Sequence, residues 1–528
     1  MIRVVDASCT WSVLPALTVL TPAVAAFVIP LARMVGGGRR GLEALTLLAS
    51  GATAFLSLKL LHDVIAWGVP AVYGFGGWPP PLGIFYEVDA LSALLGCLTA
   101  CLMLVIVAFS AGYMSDDGRL FVYYTLLMVV EAGMLGCFYT GDFFNLFVMI
   151  EVTAISSYAL IAYLRDDKVA IAASLKYAVY GALATTAYFA ATVFAYGSLG
   201  TLNMADMHAK VAGLTAPLTG PGYGNVAVGV GVFMALALFA FTYKSALFPN
   251  HFWLPDAHSS APTPVSALLS GLVVNVGVYA IARFAYTILG VEPLTSYVST
   301  FLLAVGAASA IAGGLLMNVQ KDVKRLIAYS TVMNIGYVAL GYGLATWLGA
   351  AAATYHMITH AAAKAMLFMS AGLAIACVGS RRVEDLEGVG RVRPFVGVMV
   401  GLSLLTLAGI PPLGVFMSEY ALITAIVKVG NYAALAAFLA AYVPGMVAYL
   451  RLFYVICVKQ PKNPSSIRSL NNRAATYTAL TLLAIACVAL GLLAPLVFNH
   501  LTAPAGKALM DSSSYVNAFL HYASLLPH

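Results

Sequence analysis

Apolar residues along this chain come in long unbroken runs, not in strand-like alternation. Short polar loops separate the runs, and a membrane-spanning helix needs roughly 20 mostly apolar residues. The runs fall near 11–31, 43–65, 89–112, 119–139, 143–163, 169–197, 225–248, 264–288, 297–317, 326–343, 347–378, 395–425, 430–457 and 475–498. The pattern predicts an all-α polytopic membrane protein with about fourteen transmembrane helices. The first run, Trp11–Pro30, is longer than a signal-peptide core and reads as an uncleaved first helix. Two segments between runs stand out. Trp67–Glu87 is rich in Gly, Pro and aromatics, with Trp78-Pro79-Pro80-Pro81 at its centre, and suits a short hairpin at the bilayer interface. Thr201–Ala209 reads as a short surface helix.

Composition points the same way. Hydrophobic residues make up 62% of the 528, and charged residues only 9%. Soluble domains carry about 25% charged residues, so too few remain here to solvate a water-facing surface. The net charge of +6 does not mark a nucleic-acid binder, because the basic residues are spread among loops. Alternate loops hold most of them: Arg33, Arg39 and Arg40; Arg119; Arg165 and Lys168; Lys321, Lys324 and Arg325; Arg381, Arg382, Arg391 and Arg393; Lys459, Lys462, Arg468 and Arg473. The opposite set holds little beyond Lys210 and Lys428. By the positive-inside rule the basic loops are cytoplasmic and both termini face outward, which suits a multi-pass protein of the cell membrane. The loop 249–263 breaks the pattern, having neither Lys nor Arg. The seven cysteines form no CxxC pair and read as small core residues, so the sequence offers no iron–sulfur or zinc site.

Charge inside a membrane helix costs roughly 2.5–3.5 kcal/mol on insertion scales, so such residues are functional candidates by default. Glu151 lies near the middle of the fifth run and Lys244 inside the seventh, with the helix-breaking Pro249 five residues on. His356, His360 and Lys364 stand at i, i+4 and i+8, on one helix face. Glu419 follows Pro411-Pro412, a second helix breaker. Lys176, Arg283 and Glu131 are further buried or half-buried charges. The functional reading is a chain of protonatable groups across the membrane interior, with Glu151 and Lys244 as the switching pair. The bland reading is a set of structural ion pairs. It suits single residues better than this set: Arg283 near a helix end pins a neighbour, Lys176 sits at the cytoplasmic edge, Glu131 pairs with an adjoining helix. His251 and His258 read as hydrogen-bonding residues of a compact loop. His356 and His360 have the spacing of a zinc pair but lack the acid between them, so no metal site is expected.

At these residues the sequence resembles the antiporter-like subunits shared by respiratory complex I, membrane-bound energy-converting hydrogenases and Mrp-type sodium/proton antiporters. The most specific stretch runs from Lys244 to Phe284, KSALFPNHFWLPDAHSSAPTPVSALLSGLVVNVGVYAIARF. Others surround Glu151, Lys324 and Lys364 and end at Glu419; GGWPPPLGIFYEVDALSALL, with Asp89, and GTLNMADM look like the Mrp and hydrogenase branches. The resemblance implies two inverted five-helix repeats, with the seventh and twelfth helices broken. It places the N-terminal three-helix segment with its outer hairpin 67–87 at 1–112, the first repeat at 113–290, the second at 291–460, and a basic loop, last helix and outer tail at 461–528. It also implies roles. Glu151 is the fifth-helix glutamate, Lys244 the broken-helix lysine, Glu419 the charge of the second broken helix, His360 the eleventh-helix histidine. Lys364 matches a lysine of the Mrp and hydrogenase branches, and Lys324 a family lysine near the cytoplasmic face. Asn275 and Asn334 depart from the pattern. They stand where members often have lysine or histidine, and neither titrates near neutral pH. Either water held by these two amides bridges the path, or the path runs through Lys364 and the histidines.

The expectation is an ion-translocating subunit of a larger complex, moving H⁺ with Na⁺ exchange as an option. That complex is either redox-driven or an Mrp-type antiporter. Partners are other hydrophobic membrane subunits and, in a redox complex, iron–sulfur or hydrogenase-like peripheral ones. No cofactor motif is present in this chain, and no catalytic redox site is expected in it. A stand-alone carrier for an organic solute and a transport-inactive structural subunit are the alternatives.

Overall fold

The structure, a computed structural model, describes residues 3–6, 9–78, 83–114, 118–213, 226–462, 464–470 and 474–524. Pro79–Pro81 of the outer segment and Arg473 of the last basic loop lie outside the described residues.

Helix coincides with every apolar run. In chain order the helices are α1 Leu14–Met34, α2 Arg39–Trp67, α3 Ala90–Tyr113, α4 Leu120–Tyr139, α5 Phe143–Ile161, α6 Lys168–Leu199, the short α7 Met204–Gly213 and α8 Val226–Lys244. They continue as α9 Leu254–Ser260, α10 Thr263–Ile288, α11 Leu294–Asn318, α12 Val323–Gly343 and α13 Trp347–Val378. The last are α14 Pro394–Leu407, α15 Gly414–Val429, α16 Tyr432–Val458, α17 Ala474–Leu492 and, after the helical stretch 494–510, α18 Ser512–Ser524. Among the described residues eleven helices are long and apolar enough to cross a membrane, or twelve if the turns at 383–392, bent 118° from α14, are counted with it. The chain is thus a multi-pass membrane protein. The halves α14 and α15 are short because a break at residues 408–413 divides them. Helix α12 is long enough, but Lys324, Arg325 and Asn334 make it more polar.

Local chemistry sets many helix ends. The side chains of Asp89, Asp142, Asp167, Asp322, Thr346 and Asn431 each accept a first-turn backbone N–H. Gly68, Gly200, Gly379 and Gly430 end α2, α6, α13 and α15 in the left-handed conformation. Asn203 caps α7 by accepting from the N–H groups of Ala205 and Asp206.

The all-α expectation needs one correction. A four-stranded sheet lies on the face opposite the basic loops: β1 Arg3–Asp6, β2 Cys9–Trp11, β3 Ala71–Gly74 and β4 Phe85–Val88, in that order. The β1–β2 and β3–β4 pairs are antiparallel, and β2 runs parallel to β3. The strands are too short to register against the apolar runs. They form because backbone polar groups this close to lipid need partners.

Helices α10 and α13 occupy the centre, with every residue of α10 buried and nearly all of α13. Polar groups on these two helices therefore meet protein on all sides. The basic face doubles as a set of helix caps. Arg39 donates to the carbonyls of Ala111 and Met114 at the end of α3. Arg451 does the same for Asn318 and Gln320 after α11. Each cation thus meets the negative end of a helix dipole.

Candidate functional site

Two helix interruptions organise the interior. After Lys244 the chain leaves the helix through Ala246, which takes a left-handed φ of 53°, and re-enters one at Leu254. The second interruption runs from Ala408 to Leu413, with Gly409 at φ 67°. Both are where the prolines foretold a break. Two glycines make the geometry possible. A side chain at Gly277 would sit 2.5 Å from the backbone nitrogen of Ser245, so α10 approaches the first break only without one. One at Gly409 would collide with the Glu419 carboxylate.

In the first half, Glu151 on α5 and Lys244 at the end of α8 are within electrostatic reach. They are not bonded: Glu151 Oε1 and Lys244 Nζ are both buried without a hydrogen-bond partner. The ammonium lies 6.0 Å from the centre of the Tyr158 ring. Beside it is a cavity of about 10 Å³ lined by Thr153, Tyr177, Lys244 and apolar side chains. A water needs about that much room. The expected pair is thus not in direct contact, and Lys244 has space beside it for a water. Further in, Asn275 donates to the Gly271 carbonyl at 2.8 Å and leaves its own oxygen unpaired. Ser270 and Thr331 join α10 to α12 through a 2.6 Å hydroxyl contact.

The second half carries a polar file in which Tyr449 Oη bridges the side chains of Ser330 and Asn334. Lys364 Nζ donates to the Ile327 carbonyl at 3.1 Å and to the Ser330 hydroxyl. Asn334, one turn on from Ser330, donates to the Ser330 carbonyl at 2.6 Å and to Tyr449 Oη at 3.2 Å. Its Oδ1 meets His356 Nε2 at 3.0 Å, and His356 Nδ1 meets Ser418 Oγ at 2.9 Å. Ser418 Oγ in turn lies 3.0 Å from Thr359 Oγ1. Two acceptors flank the Asn334 nitrogen, so its amide has one orientation, and His356 Nε2 must carry a proton to face Oδ1. In neutral His356, Ser418 donates to Nδ1. In the cation, Nδ1 donates and the Ser418 hydroxyl swings to the Val415 carbonyl, 2.8 Å away. Both protonation states of His356 are satisfied by turning one hydroxyl.

In this file Asn334 stands between Ser330 and His356. His360 makes no hydrogen bond to this file: both its ring nitrogens are buried and unpaired, and its ring stacks on His356 with centroids 6.2 Å apart. Glu419, buried and adjacent in sequence to Ser418, turns toward Gly409 at the break and has no direct hydrogen bond to the file. Lys324 donates to the Ala261 carbonyl at 2.8 Å on the basic face. Lys176 is half exposed and paired with Asp256 at 2.6 Å, away from the file. The second oxygen of Asp256 holds Arg325 at 2.7 Å. His258 ties the loop through its backbone carbonyl, which accepts from Ser266 Oγ at 2.9 Å, and not through its ring. Neither ring nitrogen has a partner, and the ring stacks on Phe368 at 5.1 Å.

Asp256 is the residue that sequence reasoning missed. It is the sole acid in the loop 249–263, whose lack of Lys and Arg was the anomaly. The loop is where basic side chains from elsewhere converge. Asp256 takes Lys176 and Arg325, and the carbonyls of Phe252, Ser259 and Ala261 take Lys176, Arg381 and Lys324. A cation within the loop would compete for the same acceptors. On the opposite face Arg283 holds Asp89 in a bidentate pair, both contacts 2.8 Å, as a pinning residue does.

Broken helices, buried unpaired charges and a hydrogen-bonded file through the centre define a membrane protein built to hold mobile charge within its bilayer-embedded core. The chain belongs to the NADH:quinone oxidoreductase/Mrp antiporter transmembrane family, whose pattern it matches over residues 140–443, more than half its length. It is 30% identical over 465 residues to a Na⁺/H⁺ antiporter subunit of Alkalihalophilus pseudofirmus, covering 88% of this chain and 91% of that protein. A chain of the membrane-bound sulfane sulfur reductase, an archaeal respiratory membrane complex, superposes with a TM-score of 0.86 at 30% identity, covering 96% of this chain and all of that one. A chain of the Mrp complex from Dietzia sp. gives 0.84 at 26% identity, with the same coverage.

Proposed function

We propose that this chain is the proton-translocating, antiporter-like subunit of a multi-subunit membrane complex. The observation that carries the reading is the file from Lys364 through Ser330 and Asn334 to His356 and Ser418, facing the separated Glu151–Lys244 pair across α10. Movement of a proton onto or off Lys244 changes the field at Glu151, and because the two are not hydrogen-bonded that change can break or make the link. Lys364, Asn334 and His356 form the central relay, with Glu419 the terminal group at the second break. A cavity of about 10 Å³ beside Lys244 suits a proton or water and not an organic solute.

The reading has an architecture. All fourteen apolar segments cross the membrane, in two inverted five-helix repeats at 113–290 and 291–460. Each repeat contains one interrupted helix, α8–α9 and α14–α15, which supports that division. The basic face is cytoplasmic and both termini lie outside the cell membrane. Solved relatives are subunits of multi-subunit membrane complexes, so the partners here are hydrophobic membrane subunits. Cofactors, with any iron–sulfur or hydrogenase-like chemistry, reside in peripheral partners and not in this chain.

The test is proton flux by the purified complex in proteoliposomes, with and without Na⁺. Glu151→Gln and Lys244→Met each abolish flux if the reading holds, while assembly persists. Undiminished flux in both variants would refute it.

A further inference from the structure

Facing the sheet, far from the file, is a second polar cluster. Its floor is the Asp89–Arg283 pair. Arg283 also donates to Ser92 at 2.9 Å, to Thr287 at 3.2 Å and to the Tyr279 hydroxyl at 3.3 Å, and lies 5.0 Å from the Tyr515 ring centre. That pair is neutral and fully satisfied. Beside it, on β4, stands Glu87, 1% exposed, with neither carboxylate oxygen hydrogen-bonded. Glu87 Oε2 and the Tyr515 hydroxyl both crowd Gly141, where a side chain would meet them at 3.4 and 3.1 Å. A buried carboxylate without a partner is costly for a structural role, since it adds desolvation and no hydrogen bond. Burial pushes the Glu87 carboxyl well above its ordinary range. Arg283 opposes that shift, Asp89 adds to it, and the nearby Tyr515 hydroxyl also opposes it.

A cavity of about 290 Å³ opens above this cluster. Its lining includes Asp89 and Tyr515, which adjoin Glu87, together with Lys507, Asp511 and Ser514; Glu87 itself does not line it. Inward, Arg283, Tyr279 and Asn275 stand at i, i−4 and i−8 on regular helix, so they share one face of α10. Eight residues of helix span about 12 Å. The stripe ends at the unpaired oxygen of Asn275, two residues before Gly277, where α10 meets the break after Lys244.

We propose that this cavity and Glu87 form the outer proton port of the chain, and that the Arg283–Tyr279–Asn275 face of α10 leads from it to Lys244. A hydronium in the cavity gives its proton to the Tyr515 hydroxyl as that hydroxyl passes its own proton to the Glu87 carboxylate, and leaves as water; the carboxylic acid later gives the proton inward. The fixed Arg283 guanidinium beside Glu87 disfavours Na⁺ there and leaves one net negative charge for one proton. The inference rests on the translocation reading and on its orientation.

The experiment uses the whole complex in proteoliposomes. Glu87→Gln keeps the shape and removes the titration. Flux falls about tenfold or more, since a positioned proton-transfer group is worth about 10²–10⁴, and Glu87→Asp restores part of it. The groups facing position 87 are Arg283 from α10, Tyr515 from α18 and Asp89 from its own segment, and all remain in both variants. Ser514→Cys, assembled first and then treated with a membrane-impermeant methanethiosulfonate from outside, loses flux relative to its untreated state, whereas the treated parent protein does not. Full flux in Glu87→Gln with an unchanged outer-pH profile overturns the port, as does a fully labelled Ser514→Cys that conducts normally. If Glu151→Gln is silent as well, the translocation reading itself has failed.

Discussion

Asn334 offers the sharpest test of the central relay, because it cannot titrate yet holds the file together. Replacing it with Leu removes three hydrogen bonds: to the Ser330 carbonyl, to Tyr449 and from His356. The Ser330 carbonyl is a helix backbone group, and Tyr449 keeps its link to Ser330. The loss therefore falls on His356 Nε2, left as a buried donor without an acceptor. Such a group costs about 1–3 kcal/mol, and hydrogen bonds between membrane helices average about 0.6 kcal/mol. If protons pass through this nitrogen, the barrier rises by about the same amount, which is roughly a five- to 150-fold loss of rate at 1.36 kcal/mol per decade. Asn334→His restores a ring that donates and accepts, so it retains most of the flux. The assay is dye-monitored acidification of proteoliposomes, with assembly checked by co-purification of the partner subunits. Wild-type flux in an assembled Asn334→Leu variant refutes the relay. So does an Asn334→His variant that is as impaired as Asn334→Leu.

Other expectations concern the basic face. Asp256→Asn removes the charge shared by Lys176 and Arg325; because all three are part exposed, each pair is worth about 0–1 kcal/mol. The thermal midpoint shifts little, the shift shrinks further at high salt, and a large salt-independent loss would contradict the geometry. Glu387 accepts from Lys459 at 2.5 Å and faces Lys462 at 3.2 Å, which holds its carboxyl below the usual glutamate range. A depressed carboxylate stabilises the fold above its unfolded-state value and loses that contribution as pH falls through the folded-state value. Limited proteolysis at 383–392 and 459–462 therefore increases on acidification in the parent protein, while Glu387→Gln is already susceptible at neutral pH. Equal acid sensitivity in both would show that the Lys459–Glu387 contact contributes nothing.

How much could be read beforehand divides along physical lines. Membrane insertion was legible from the apolar runs, since a bilayer core imposes length and apolarity on each segment independently of its neighbours. The helix breaks were legible at Pro249 and Pro411–Pro412, and so was the pairing role of Arg283, because proline chemistry and the cost of a buried guanidinium are local. Glu151, Lys244 and Lys364 stood out for the same reason. What the residues could not reveal by themselves was connectivity. Asn334 looked like an interruption yet hydrogen-bonds to Ser330, Tyr449 and His356; His360, on the same helix face as His356, has no hydrogen-bond partner. The deciding partners, Ser330, Tyr449 and Ser418, come from α12, α16 and α15 and are ordinary polar residues with no mark of function. Asp256 was hidden likewise, its meaning depending on Lys176 and Arg325 arriving from α6 and α12. Sequence alone determined which groups are costly enough to need a reason, because desolvation is paid residue by residue. Only the tertiary structure decided which of them touch, because a hydrogen bond of 3 Å depends on how helices distant in the chain are packed.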